Sequence, residues 1–391
     1  MRFFLLLAAY LPVIAASLAS GASGSSTIKN VVVVGGTHGN EYTGVWCIKA
    51  LDRTAAQVAK TYPSLHISTL LANPQAHLEN KRFVDDDLNR QFSHEKLSDV
   101  VISNSETGQL VPRVPTVESL RAQEINQLLG PKGSGDACQT DVIVDLHSTT
   151  SNMGLTIIIP EGDALMAAAA AYVMLKCDGD VKCLMHSHPS KDSRPNLSST
   201  AKHGFTIEVG PVPQGLLRQD AVQKTDQAIH ALLDFLHQRN TPASFQQNEE
   251  LLRNAYPQNR VPCFRSAPAQ RPGEMSGKIP WPCDEDNINF PAVLIHPTVQ
   301  DADFGLVHEG DPLFIDLEGH DIPYSGSHGS PVHLLFVNEG GYYYASSGTG
   351  IGVAIDAEFD FQTGLLIQES AAVPVHAAHH HADAALQEQM K

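Results

Sequence analysis

Apolar residues along this chain follow two rhythms. Short unbroken runs such as VVVV at 31–34, closed by Gly35 and Gly36, predict strands buried on both faces. In EYTGVWCIKALDRTAAQVAK (41–60) the apolar positions recur every three or four residues, which is helical spacing. The alternation continues with a strand in LHISTLLANP (65–74), a helix in RVPTVESLRAQEINQLLG (113–130) and a buried strand in DVIVDLH (141–147). TIIIP (156–160) and FTIEVGP (205–211) read as further strands, ALMAAAAAYVMLK (164–176) and QDAVQKTDQAIHALLDFLHQ (219–238) as helices. Strands alternating with helices of this length predict a layered α/β fold, a sheet flanked by helices.

The pattern changes after about residue 242. Helical periodicity stops, Pro and Gly become frequent, and short β-like runs follow: AVLIHP, PLFIDLEG, HLLFVNEGGYYYA and GIGVAI. This predicts an α/β domain over 28–242 and a smaller, mostly β domain over 243–360. Residues 257–287 are proline-rich and read as a long loop; no internal repeat is visible. The segment 361–391 reads as a disordered tail whose histidines (376, 379, 380, 381) are solvated rather than metal-binding.

Composition narrows the partners. With 42% hydrophobic and 18% charged residues, the 391-residue chain has an ordinary globular balance. Its formal charge of −17 argues against nucleic acid and anionic membrane surfaces, which need a basic face. Small anionic substrates stay open, because a few arginines can set the field inside a pocket. Arg2, the apolar FFLLLAAYLPVIAA and the small residues after it read as a secretory signal over 1–22, with export to the cell exterior or a secretory lumen. No later stretch is long and apolar enough to span a bilayer, so no stable membrane association is expected after cleavage. Six cysteines in an exported chain allow three bridges, and sequence neighbours (Cys177 with Cys183, Cys263 with Cys283) are the simplest pairing. Cys47 sits in a helical apolar pattern and reads equally as a core residue, and the pairing of Cys138 is left open.

The candidate chemistry lies at strand ends. His38 and Glu41 follow the valine run in a glycine-bearing loop, and His147 ends another buried strand. H-x-x-E alone is as compatible with a polar turn. With His147 it supplies two imidazoles and a carboxylate, the donor set of a catalytic zinc that keeps a fourth position open. Asp145, two residues before His147, is placed to hold a ligand histidine. Glu208 is a lone carboxylate within an apolar run, either a satisfied buried acid or a functional one. RFVDDDLNRQF (82–92) combines two arginines and an asparagine with three aspartates, which by itself reads as a solvated loop.

GGTHGNEYTGV, ANPQA, DDDLNR, RAQEIN, GPK, DLHSTTSNMG, IEVGPVPQGLLR, HPTVQDADF and FVNEGGYYY follow, in order, the pattern of the aspartoacylase family. The resemblance runs from about residue 29 to 345. It implies a zinc-carboxypeptidase-like mixed sheet and an amidohydrolase with one Zn2+ per subunit, ligated by His38, Glu41 and His147. It further implies Glu208 as general base and Arg82 facing the substrate carbonyl. Asn89, Arg90 and Tyr342 would bind the substrate carboxylate, and Glu339 falls at a further position near the site. A small N-acylated amino acid is the expected partner, and a homo-oligomer remains open.

Substrate choice turns on the segment PNLSSTAKHG. Where aspartoacylases carry the arginine that grips a second carboxylate, this chain has Ser198, and Arg194 stands where a companion tyrosine falls. The loop resembles the type-III aminoacylases, which cleave N-acyl aromatic amino acids and N-acetylcysteine conjugates. That substrate class is the expectation. N-acetyl-L-aspartate, with Arg194 reaching its second carboxylate, is the alternative; a metallocarboxypeptidase and an exported binding pseudo-enzyme rank behind both.

Overall fold

The computed structural model describes residues 27–98, 101–103, 110–112, 114–271, 273, 275–283, 290–343 and 350–367. The valine run becomes β1 (Asn30–Gly35), with Val31, Val33 and Val34 fully buried. Burying each such side chain is worth roughly 1.5–3 kcal/mol, so the strand is anchored by its own residues. Along the first half follow α1 (Tyr42–Arg53), α2 (Ala55–Thr61), β2 (His66–Leu71), α3 (Pro74–Leu78), α4 (His94–Ser98), β3 (Val101–Ser103) and β4 (Leu110–Pro112). Then come α5 (Val117–Leu129), β5 (Val142–Ser148), β6 (Gly154–Pro160), α6 (Ala164–Lys176), β7 (Lys182–His186), β8 (His203–Gly210) and α7 (Gln219–Arg239). The expected helix over 41–60 is two helices, because the Thr54 hydroxyl donates back to the Ala50 carbonyl and breaks the run.

The C-terminal part contains α8 (Pro242–Ala255), β9 (Arg260–Ser266), β10 (Lys278–Pro280), β11 (Leu294–Ile295), β12 (Leu306–Val307), β13 (Pro312–Ile315), β14 (Asp321–Pro323), β15 (Val332–Leu335) and β16 (Gly350–Asp360). Two expectations are corrected here. Helical structure continues past residue 242: Pro242 starts α8, whose Leu252 packs into the large core although its apolar stripe is thin. The proline-rich 257–287 segment is not one loop, since β9 and β10 both pair with β16.

Eleven strands form one mixed sheet, ordered β12-β15-β16-β9-β7-β6-β8-β5-β1-β2 with β10 added on β16. The smaller β region therefore extends the same sheet, while β11, β13 and β14 make a separate three-stranded sheet beside it. α1, α6 and α7 supply the large core, and the run Ala167–Ala171 of α6 is buried, which lets that helix lie close to its neighbours. A second core fills the C-terminal part around Trp281, Phe314 and Tyr324. Residues 361–367, expected to open a disordered tail, are ordered: Phe361 is fully buried in the large core, and Leu366 bridges to Phe359. The signal segment 1–22 and residues 368–391 lie outside the described residues.

All six cysteines are free, so neither expected bridge is present. Cys177 and Cys183 both point into the large core, as do Cys47 and Cys263, whereas Cys283 is exposed. Their burial is that of small apolar residues, and it separates the sequence neighbours instead of joining them.

Candidate active site

Parallel strands β1, β5 and β8 end side by side, and the site is assembled at those ends. The loop after β1 turns through Gly36, at φ +68, where a Cβ would stand 2.7 Å from the Leu71 side chain. At Gly39 a Cβ would lie 2.2 Å from the Ala76 backbone, so no other residue fits that approach. The turn brings His38 back onto Glu41, at the N-cap of α1, with His38 Nδ1 2.5 Å from Glu41 Oε1. β5 carries His147 one residue beyond the Gly35–Leu146 register pair, and its Nδ1 is 3.1 Å from Glu41 Oε2. All three residues are buried, with donor atoms within 4.8 Å of one another.

Carboxylates stand behind both histidines. Asp145 Oδ2 is 3.0 Å from His147 Nε2, and the Thr37 hydroxyl holds the other Asp145 oxygen at 2.7 Å. Asp87 Oδ1 lies 3.1 Å from His38 Nε2. With Nε2 of each ring engaged from behind, Nδ1 of each is the nitrogen left for a metal, the backing that fixes ring orientation and raises ligand basicity. Burial opposes charge on Glu41, yet the two imidazoles hold its carboxyl well below the usual range. Burial also opposes charge on His147, yet Asp145 and Glu41 push that ring well above its ordinary pKa. The two shifts are mutual, the ionised carboxylate and the imidazole each favouring the other's charge. Two imidazole nitrogens and one ionised carboxylate fit a zinc ion with an open position.

A chamber of about 90 Å³ over these residues is lined also by Arg82, Asn89, Arg90, Glu208, Glu339 and Tyr342. Glu208 is the register partner of His147 on the adjacent strand. Burial pushes its carboxyl well above the ordinary value, with His147 opposing and Glu41 and Glu339 adding to the rise. Arg82 is buried, donates to Glu41 Oε1 at 3.2 Å and Asp87 Oδ2 at 3.4 Å, and lies 5.7 Å over the Tyr342 ring. Its Nε is buried without a hydrogen-bond partner. Asn89 and Arg90 ride on a short 3-10 turn (Leu88–Arg90) capped by Asp87, which accepts from Asn89 N at 2.8 Å. Glu339 accepts from Thr150 N at 2.8 Å, from the Thr149 hydroxyl and from Gly341 N, tying the loop before Tyr342 to the end of β5.

Arg194 and Ser198 do not line this chamber. Both line a smaller recess that meets it at Ile158, His186, Asn196 and Thr206. Two residues that matter here were not singled out from the sequence. His186 ends β7 and lines the chamber, its ring lowered to about 4 by burial and by His188, Arg90, Arg194 and Lys278. The run KCLMH carries the same signal that exposed His147, a histidine closing an apolar strand. Glu118, fully buried in the first turn of α5, accepts from Asn73, Val84, Asp85 and Asp86 and so holds the aspartate loop. Its position in an amphipathic helix gave no such sign.

Residues 27–236 match the succinylglutamate desuccinylase/aspartoacylase catalytic domain, and residues 274–349 the AstE/AspA barrel-sandwich hybrid domain. The chain is 35% identical over 315 residues to the N-acyl-aromatic-L-amino acid amidohydrolase (carboxylate-forming) A of Danio rerio, covering 80% of this chain and 85% of that protein. It is also 35% identical over 318 residues to the aspartoacylase of Rattus norvegicus, covering 81% and 89%. The crystal structure of murine aminoacylase 3 superposes with a TM-score of 0.68 at 27% identity, over 88% of this chain and 100% of that one. With the His38, Glu41 and His147 cluster at strand ends, a mixed sheet and matches to both domains in chain order, the chain belongs to the succinylglutamate desuccinylase/aspartoacylase family.

Proposed function

We propose that this chain hydrolyses the amide of N-acyl-L-amino acids to a carboxylate and the free amino acid, with aromatic or neutral side chains favoured over aspartate. One observation carries the substrate choice. The 90 Å³ chamber has room for little beyond the scissile amide and the carboxylate, and it opens past Arg90, His186, Asn196, Phe336 and Tyr342 into a cavity of about 500 Å³. Leu184, Pro195, Leu335, Phe336 and Val353 give that cavity apolar walls suited to a large side chain. The Danio rerio relative acts, by its name, on N-acyl aromatic amino acids, and it matches this chain as well as the aspartoacylases do.

His38, Glu41 and His147 would hold zinc, which supplies a Lewis acid and brings the pKa of water toward about 7. The chain's own residues do the rest. Glu208, its proton affinity raised by burial, takes the proton of the attacking water and returns it to the departing amine. Arg82 donates to the carbonyl oxygen as it gains charge, an interaction of about 3–4 kcal/mol per well-placed donor. Arg90 offers two parallel donors to the substrate carboxylate, joined by the Asn89 amide and the Tyr342 hydroxyl. Asp145 and Asp87 hold the two histidine rings in place.

The aspartoacylase reading keeps one observation in its favour, the Arg194 side chain in the recess beside Ser198. Turnover of N-acetyl-L-tyrosine, N-acetyl-L-aspartate and a blocked dipeptide by the zinc-loaded protein separates the readings. Dipeptide cleavage without amide deacylation sinks the proposal in favour of a carboxypeptidase, and no turnover of any of the three favours a binding pseudo-enzyme. We also propose export, supported by Arg2 and the apolar segment behind it. Expression with and without residues 1–22 tests this by where the protein accumulates.

A further inference from the structure

Three stretches of chain meet at one buried ammonium outside the chamber. Lys132 lies in the turn after α5, where its own N–H donates to Asn126 Oδ1 at 2.8 Å. Its Nζ donates to Phe92 O at 2.6 Å, to Arg194 O at 2.5 Å and to the Ser199 hydroxyl at 2.8 Å. An ammonium carries three N–H donors, so each has an acceptor, and none of the three is a carboxylate. Burial, the Arg194 guanidinium and Lys191 bring its pKa down to about 7, with Asp192 opposing. A cation kept where burial and like charges oppose it is costly, and the proposed chemistry gives it no task.

Its acceptors lie on the two segments that flank the substrate. Phe92 closes the aspartate loop, two residues beyond Arg90. Arg194 and Ser199 bracket Pro195, Asn196 and Ser198, which line the 500 Å³ cavity, the chamber and the recess between them. The same segments are also joined directly: Phe92 N donates to Pro195 O at 3.0 Å, His94 N to Asp192 O at 2.8 Å and Leu197 N to Asn89 Oδ1 at 2.9 Å. The last bond uses the Asn89 carbonyl, which leaves its NH2 group for the substrate. Phe92 and Leu197, both fully buried, share one apolar cluster with Leu88 and Leu129. Glu118 thus holds the aspartate loop at residues 84–86, and Lys132 holds its far end.

We propose that Lys132 is a positioning residue for substrate binding: by clamping Phe92 to the 194–199 segment, it sets where Asn89 and Arg90 stand relative to the pocket walls. This rests on the amidohydrolase reading above, which assigns Asn89 and Arg90 to the substrate carboxylate.

The test measures kcat and KM for N-acetyl-L-tyrosine, with zinc per chain, on the zinc-loaded full chain. Lys132→Met keeps an apolar stem and removes all three donors. KM is expected to rise by at least about tenfold, the scale of one weakened charge-assisted contact to the carboxylate. The metal ligands and Glu208 lie on or just after β1, β5 and β8, which the clamp does not touch. Zinc content therefore stays unchanged and kcat stays within about threefold, the pattern of lost binding rather than lost chemistry. Ser199→Ala removes one acceptor and is expected to raise KM by about threefold at similar kcat, so the result survives poor folding of Lys132→Met. A wild-type KM in folded Lys132→Met, or in Ser199→Ala if that variant alone folds, overturns the clamp while the amidohydrolase reading stands. A fall in kcat or zinc content at unchanged KM does the same, because a merely structural lysine would act that way. If the wild-type protein does not hydrolyse the substrate, both readings fall together.

Discussion

Replacing Glu118 by Gln tests whether the active-site loop is held from outside the site. The carboxylate is fully buried and accepts four hydrogen bonds: Asn73 Nδ2 at 3.0 Å and Val84 N at 2.7 Å on Oε1, Asp85 N at 3.0 Å and Asp86 N at 3.1 Å on Oε2. Glutamine is nearly the same shape but keeps one acceptor oxygen, and its NH2 group then faces two N–H donors. Two bonds to a charged acceptor are lost, each worth about 1.5–3 kcal/mol, so the cost is about 3–6 kcal/mol. That is a large part of a typical total stability of about 5–15 kcal/mol. The loop is the one that leads into Asp87, Asn89 and Arg90, and a misplacement of about 1 Å can cost about a hundredfold in rate. Glu118→Gln is expected to lower the thermal midpoint by several degrees and kcat/KM for N-acetyl-L-tyrosine by at least about tenfold, with zinc content retained. A variant with the wild-type midpoint and wild-type kcat/KM would refute the reasoning, because the four bonds would then be unimportant to the loop.

Three further outcomes are expected. Glu208→Ala should lower turnover by at least about a hundredfold while zinc per chain, measured by elemental analysis, stays unchanged; surviving activity would mean another group is the base. Thiol titration of the native protein should detect Cys283 rapidly and Cys47, Cys177, Cys183 and Cys263 slowly, because burial raises their thiols, to about 12 at Cys47 and Cys263 and about 11 at Cys177. All six should react in denaturant without reductant, and any shortfall would reveal a bridge. Asp141 accepts from Lys29 N at 2.7 Å, Asn30 N at 2.9 Å and Lys202 Nζ at 2.9 Å, and these bonds outweigh burial and lower its pKa. Its stabilisation is therefore present above about pH 4, the unfolded value, and is lost as pH falls through the lower folded value. Denaturant titrations should show Asp141→Asn destabilising most near neutral pH and progressively less in acid.

What the sequence determined by itself is whatever depends on neighbours along the chain. The valines of 31–34 form β1, the alanines of 164–176 form α6, and Gly36 and Gly39 shape the loop that turns His38 onto Glu41. Burial has a period, and a residue's neighbours reveal it. The ordered motifs added Glu208, Arg82, Asn89, Arg90, Glu339 and Tyr342, which the fold gathers with the ligands around one chamber.

Only the tertiary structure decided what depends on strands far apart in sequence. Strand register puts Glu208 beside His147, β9 and β16 enlarge the catalytic sheet, and the large core takes Cys177, Cys183 and Phe361. Thin or mixed apolar patterns, as in α8 and the proline-rich 257–287 stretch, carry little local signal, because their burial comes from partners elsewhere. Glu118 looks like an ordinary helix charge in the sequence. Its role comes from four donors converging on one carboxylate. Packing creates those environments, and no local pattern of residues encodes them.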